Sequence, residues 1–129
     1  GGSVAAYVWE VFGGGVPTAP ITSELLASNI TYPLPPSANA SRMEVLHSLW
    51  VDAELQSVET SVIKVERTFA NFEEFWSTTA LSPSLKPVLA DLPEKTIVQL
   101  QNAVRERLPA DAEGQITYSS HANAIKGLV

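Results

Sequence analysis

No cysteine occurs in the 129 residues, which excludes disulfides, thiolate metal sites and cysteine nucleophiles together. Basic residues are scarce: eight Lys and Arg stand against fourteen Asp and Glu, a formal net charge of −6. Phosphate backbones and anionic membranes are recognised by clustered cations. The densest basic group here, Arg105 and Arg107, falls near the end of a predicted helix, where it complements the helix dipole. Neither nucleic acid nor a membrane is therefore expected as a partner. Long hydrophobic runs are also missing, since the longest apolar stretch, Val4 to Trp9, is far too short to span a bilayer. Gly1-Gly2-Ser3 lacks the basic start of a signal peptide, so the sequons at Asn29 and Asn39 read as chance matches. A reducing, cytoplasmic setting is expected.

What is present has the composition of one folded domain, 45 % apolar and 17 % charged. Val4 to Trp9 is continuously apolar rather than alternating, which predicts a strand buried on both faces. Gly13-Gly14-Gly15, Pro17 and Pro20 follow as a loop, and Ile21 to Asn29 reads as a short helix. Pro33, Pro35 and Pro36 make residues 31–39 an extended connection. Ser41-Arg42-Met43-Glu44 fits a capping box opening a helix whose apolar face is Val45, Leu46, Leu49, Trp50 and Ala53. Ser57 to Phe69 is rich in Val, Ile and Thr and predicts a long strand. Its apolar positions change parity between Val62 and Ile63, which predicts a bulge or burial on both sides.

Asn71-Phe72-Glu73-Glu74 predicts a capped helix with Phe72, Phe75 and Trp76 on its inner side. Asp91-Leu92-Pro93-Glu94 predicts another start, with Asp91 as cap, for a helix striped by Ile97, Leu100, Val104 and Leu108. Ile116, Tyr118, Ala122 and Ala124 then alternate as a last strand. The order β, α, α, β, α, α, β predicts an α/β or α+β domain with three strands.

No convergent catalytic set is legible. His47 and His121 lack a carboxylate or second ligand at metal spacing, so no metal site is expected. His47, beside Leu46 and Leu49, reads as a core or boundary residue, and His121 as solvent-exposed on the polar side of the last strand. No helix N-terminus directly follows Gly13–Gly15, so that turn reads as a flexible loop rather than a phosphate site. Phe69, Phe72, Phe75 and Trp76 read as plain core before they read as a pocket lining.

Several segments, taken in order, resemble a known family. Gly1-Gly2-Ser3-Val4-Ala5-Ala6-Tyr7-Val8-Trp9-Glu10 resembles the fifth strand of class I, type 11-like, S-adenosylmethionine-dependent methyltransferases. Leu49 to Leu55 with Val58-Glu59-Thr60 resembles their helix leading into strand six, and Thr68 to Trp76 the segment after it. Val104 to Pro109 with Asp111 to Ile116 resembles the approach to strand seven. Gly13 to Pro36 matches least and corresponds to a region expected to vary with substrate.

The resemblance implies a single domain, residues 1–129, forming the substrate-side part of a Rossmann-like fold. Residues 1–12 would supply a strand, 13–40 a variable loop with a short helix, and 41–129 the helix–strand–helices–strand remainder. A three-stranded mixed sheet in family order 5-7-6, with flanking helices, is the expected fold. The family's cofactor motifs, a Gly-rich loop after strand one and an acidic residue after strand two, have no counterpart here. No cofactor residue is therefore assigned, and S-adenosylmethionine is expected only of the complete family enzyme. Trp9, Glu10 and Phe12, at the carboxyl end of the first strand, would border a substrate cleft. That strand would also carry an open edge, suited to a homo-oligomer or to an N-terminal methyltransferase half. A non-catalytic ligand-binding or dimerising domain of α+β type is the alternative.

Overall fold

The computed structural model describes residues 1–129. The elements are β1 (Ser3–Trp9), α1 (Ala19–Ala27), a 3-10 turn (Ala38–Ser41), α2 (Met43–Asp52), β2 (Gln56–Phe69), α3 (Phe72–Thr79), α4 (Lys86–Ala90), α5 (Glu94–Arg107) and β3 (Ile116–Leu128). The chain is α/β, with one three-stranded sheet in the order β1-β3-β2. β1 pairs antiparallel with β3, from Ser3 opposite Leu128 to Trp9 opposite Ala122. The sheet is antiparallel rather than mixed: β1 and β2 are never neighbours, because the last strand separates them.

The contacts group the chain into two compact units, 1–16 with 35–65 and 120–129, and 17–34 with 66–119. The first holds β1, α2, the 56–65 part of β2 and the 120–128 part of β3. Here the structure corrects the expected burial of β1. Tyr7 is 77 % exposed, and Val8 and Trp9 are exposed as well, so neither face of β1 carries a covering layer there. Val62, Ile63 and Val65 of β2 are likewise exposed, so burial on both sides does not account for the change of parity there. On α2 only Leu46 of the predicted face is buried, and Leu49 stands in solvent.

The capping-box prediction at Ser41 also fails. Arg42 occupies the N-cap position without a side-chain bond. The Ser41 hydroxyl instead accepts the Val11 N–H at 3.0 Å. At its other end α2 stops where Glu54 turns left-handed (φ 64°) and the Leu55 amide bonds back to the Trp50 carbonyl.

The second unit holds α1, α3, α4, α5 and the remaining parts of β2 and β3. Its core joins Ile21 and Leu25 of α1 to Phe69, Phe72, Phe75, Leu85, Leu100, Val104, Leu108 and Ile116. Phe75 is fully buried and meets Phe69 and Tyr118 edge-on, with ring centroids 5.5 and 5.6 Å away. Asn71 caps α3 as expected, its Oδ1 accepting from the Glu74 amide, while Glu74 reaches back to the Ala70 amide. Asp91 does not cap α5: Pro93 takes that position, without a side-chain bond. Helix α1 ends in the same left-handed motif as α2, here at Asn29 (φ 57°), with the Ile30 amide on the Leu25 carbonyl. No helix is long and apolar enough to cross a membrane.

Candidate functional site

The richest grouping of polar side chains lies in the first unit, where β1 runs out into the glycine turn. The pairing of β1 with β3 continues for one residue past Trp9. There the Glu10 amide donates to the His121 carbonyl at 3.3 Å, and the His121 amide donates to the Gly15 carbonyl at 2.9 Å. The Gly15 amide closes the ring on the Glu10 carbonyl at 3.1 Å. Three backbone hydrogen bonds therefore close the turn against β3. A Cβ on Gly15 would lie 2.5 Å from the His121 carbonyl oxygen and 2.9 Å from that of Glu10. One on Gly13 would overlap the Glu10 carboxylate.

That folding brings a carboxylate to a histidine. Glu10 Oε2 lies 3.5 Å from His121 Nε2, and Glu10 Oε1 accepts the Phe12 amide at 3.2 Å. The Glu10 side chain is only 13 % exposed and that of His121 32 %, so His121 is not the freely solvated residue expected of its strand position. His47, expected at a boundary or in the core, is exposed.

Three further groups line the same pocket as Glu10. The guanidinium of Arg42 lies over the Phe12 ring, 4.4 Å from its centroid. Asn123 is buried and donates from Nδ2 to the Ser41 carbonyl at 2.8 Å. Glu44 stands in the first turn of α2. Together Glu10, Phe12, Gly13, Arg42, Glu44 and Asn123, with Met43, line an open pocket of about 300 Å³. Of the three residues expected at a cleft, Glu10 and Phe12 line this pocket. Trp9 does not, because its side chain belongs to the partly exposed end of β1.

Sequence reasoning missed His121, Arg42 and Asn123. His121 and Asn123 enter through the register of β1 against β3, which no local pattern encodes. Arg42 sits in a segment read as a capping box, where its own side chain had no assigned role.

Two other concavities lack this convergence. A groove of about 560 Å³ lies on the sheet face of the first unit, over Ala5, Tyr7, Ile63, Ala124 and the exposed Lys126–Glu59 ion pair. A cleft of about 390 Å³ in the second unit, lined by Ser28, Ile30, Leu92, Thr96, Gln99 and Leu100, carries no charge. No group of three or more His, Cys, Asp or Glu side chains could hold a metal ion. Compared with protein-family models and with curated proteins, the chain finds no match.

Proposed function

We propose that this chain is the C-terminal, substrate-side portion of an S-adenosylmethionine-dependent methyltransferase acting on a small molecule. In this reading β1, β2 and β3 are strands five, six and seven of a Rossmann-like fold. The observation that carries it is the strand order. The last strand of the chain lies between the first and the middle one and runs antiparallel to β1, the arrangement that the resemblance implies. A polar pocket at the carboxyl end of β1 supports the same reading, because open α/β sheets bind ligands outside the carboxyl ends of their strands.

The chain's own residues do not suit the methyl donor. The glycine turn is the only Gly-rich loop, and the Glu10 carboxylate and His121 already fill the space beside Gly13 and Gly15. Its Gly15 amide is engaged by the Glu10 carbonyl and is not free for a ligand. The donor would be held by an N-terminal half, which would pair with the outer edge of β1. Methyl transfer would then depend on positioning the acceptor, in the pocket bordered by Glu10 and Phe12, against the donor.

The same edge favours a second reading, a non-catalytic ligand-binding or dimerising domain of α+β type. Ser3–Trp9 contains no charge, proline or glycine to discourage pairing with a second copy.

Isothermal titration with S-adenosylhomocysteine separates these readings. The chain alone should give no heat, and the chain joined to the segment encoded upstream should bind one-to-one. Binding by the chain alone overturns the division of labour. Silence from both, or an upstream sequence without a strand followed by G-x-G-x-G, overturns the methyltransferase assignment.

A further inference from the structure

The pocket at the end of β1 holds charges of both signs, and two of them, Arg42 and Glu44, form no ion pair. Arg105 and Arg107 are each engaged by a carboxylate, whereas Arg42 makes no salt bridge. Its guanidinium carbon lies 4.4 Å from the centroid of the Phe12 ring, and the residue lines the pocket. A guanidinium held against an aromatic ring has less rotamer freedom to lose, and its fork can meet a carboxylate bidentately. Arg67 lies over the Phe69 ring at a similar distance, 4.5 Å from its centroid, but borders none of the three concavities. The distinction of Arg42 is its place on a pocket wall.

The same pocket also presents hydrogen-bond acceptors. The Glu10 carboxylate is mostly buried, lies 3.5 Å from His121 Nε2 and accepts the Phe12 amide. Asn123 is 4 % exposed, and the bond from Nδ2 to the Ser41 carbonyl fixes its carboxamide with Oδ1 directed elsewhere as an acceptor. Glu44 adds a second carboxylate. A simple anion would face Glu10 and Glu44, and a simple cation would face Arg42. A molecule carrying both charges finds a partner for each. Phe12 and Met43 leave room for an apolar substituent, and about 300 Å³ suits a small metabolite.

We propose that this pocket binds a small zwitterion of the amino-acid type, its carboxylate on Arg42 and its ammonium against Glu10 and Asn123. The assignment rests on this pocket's charges and holds whether or not the chain belongs to a methyltransferase.

The test is an NMR titration of the isotope-labelled chain with L-leucine, N-acetyl-L-leucine, which lacks the cation, and L-leucinamide, which lacks the anion. L-Leucine should give saturable shifts at the Phe12, Gly13 and Glu44 amides. Each capped form should bind at least about tenfold more weakly. Arg42→Gln should weaken L-leucine by about the same factor, and Arg42→Lys, which keeps the charge but not the fork, should fall between. Unchanged β3 resonances in both variants exclude misfolding as the cause. The proposal is overturned by shifts that do not saturate, by equal binding of all three probes, or by undiminished binding to Arg42→Gln.

Discussion

The two units of this chain are held together by different means. The 17–34 and 66–119 unit buries ten apolar side chains around a set of aromatic rings. In the 1–16, 35–65 and 120–129 unit the buried apolar residues are Leu46, Ala122 and Ile125, and beside them Ser41, Ser120 and Asn123 are buried too. The first kind of interior is stabilised mainly by removing apolar area from water, about 25 cal/mol per Å². The second relies on strand pairing and on polar fastenings such as Ser41 to Val11 and Asn123 to Ser41. Its apolar surface, Tyr7, Val8, Trp9, Val62, Ile63 and Val65, is left facing solvent. An apolar sheet without a cover is a surface made for contact, whereas the aromatic unit exposes its large apolar residues Leu26, Leu34, Leu81 and Val98 on helices and loops around a buried core.

The largest effect belongs to the aromatic unit. Phe75→Ala removes a fully buried ring that meets Phe69 and Tyr118 edge-on and Phe72 at a tilt. It should cost about 3–5 kcal/mol in urea denaturation. A cost below about 1 kcal/mol would mean that this core is loosely packed and the contrast misplaced. Next comes Gly15→Ala in the other unit. The added methyl meets two backbone carbonyl oxygens that cannot swing aside, so the turn must open. We expect a loss of about 1–3 kcal/mol, with the amide shifts of Glu10 and His121 moving together.

The helix ends sharpen the comparison at a smaller scale. α1 and α2 close with the same left-handed residue, but α1 uses Asn29, which tolerates that conformation, and α2 uses Glu54, which does not. Glu54→Gly should raise stability by about 0.5–1 kcal/mol, and Asn29→Gly should change it less. A pH effect is expected in the aromatic unit. Burial pushes the Tyr118 phenol above its ordinary value, against weaker lowering by Thr79 and Arg67. Folding therefore favours the neutral phenol. The resulting stability is complete below the ordinary tyrosine range and is lost as pH rises through the elevated value. Spectrophotometric titration should show Tyr118 ionising above the ordinary tyrosine value, and Tyr118→Phe should remove the alkaline loss of stability.

The aromatic unit was also the more legible. Phe72, Phe75 and Trp76 sit at helical spacing behind an asparagine cap, and local chemistry alone marks them as an inner face. Leu100, Val104 and Leu108 stand out by the same periodicity. The sheet unit was misread where its features depend on partners distant in sequence. Continuous apolarity in Val4–Trp9 implies two covered faces only if other layers of the fold cover them, and β1 is exposed on both. Ser41 has the spacing of a cap, but a turn thirty residues away takes its hydroxyl. Glu10 and Phe12 were found because a general rule points to the end of a strand. His121 and Asn123 were not, since they reach the pocket through a strand register that composition does not reveal.

The smallest predicted change is the most direct probe of the uncovered sheet. Tyr7 stands 77 % exposed beside Ala124, so in an isolated chain Tyr7→Lys should alter stability by no more than about 0.5 kcal/mol. A lysine on an edge strand also discourages pairing with other chains, because its ammonium would have to be desolvated in the new contact. Urea denaturation at low and high protein concentration distinguishes the two consequences. If the wild-type midpoint rises with concentration and that of Tyr7→Lys does not, self-association is covering the sheet. If neither midpoint moves, the surface is left for a different chain, as the N-terminal-half reading requires. A loss above about 1 kcal/mol at the lowest concentration would show Tyr7 packed within its own chain, and the contrast between the units would fail at that residue.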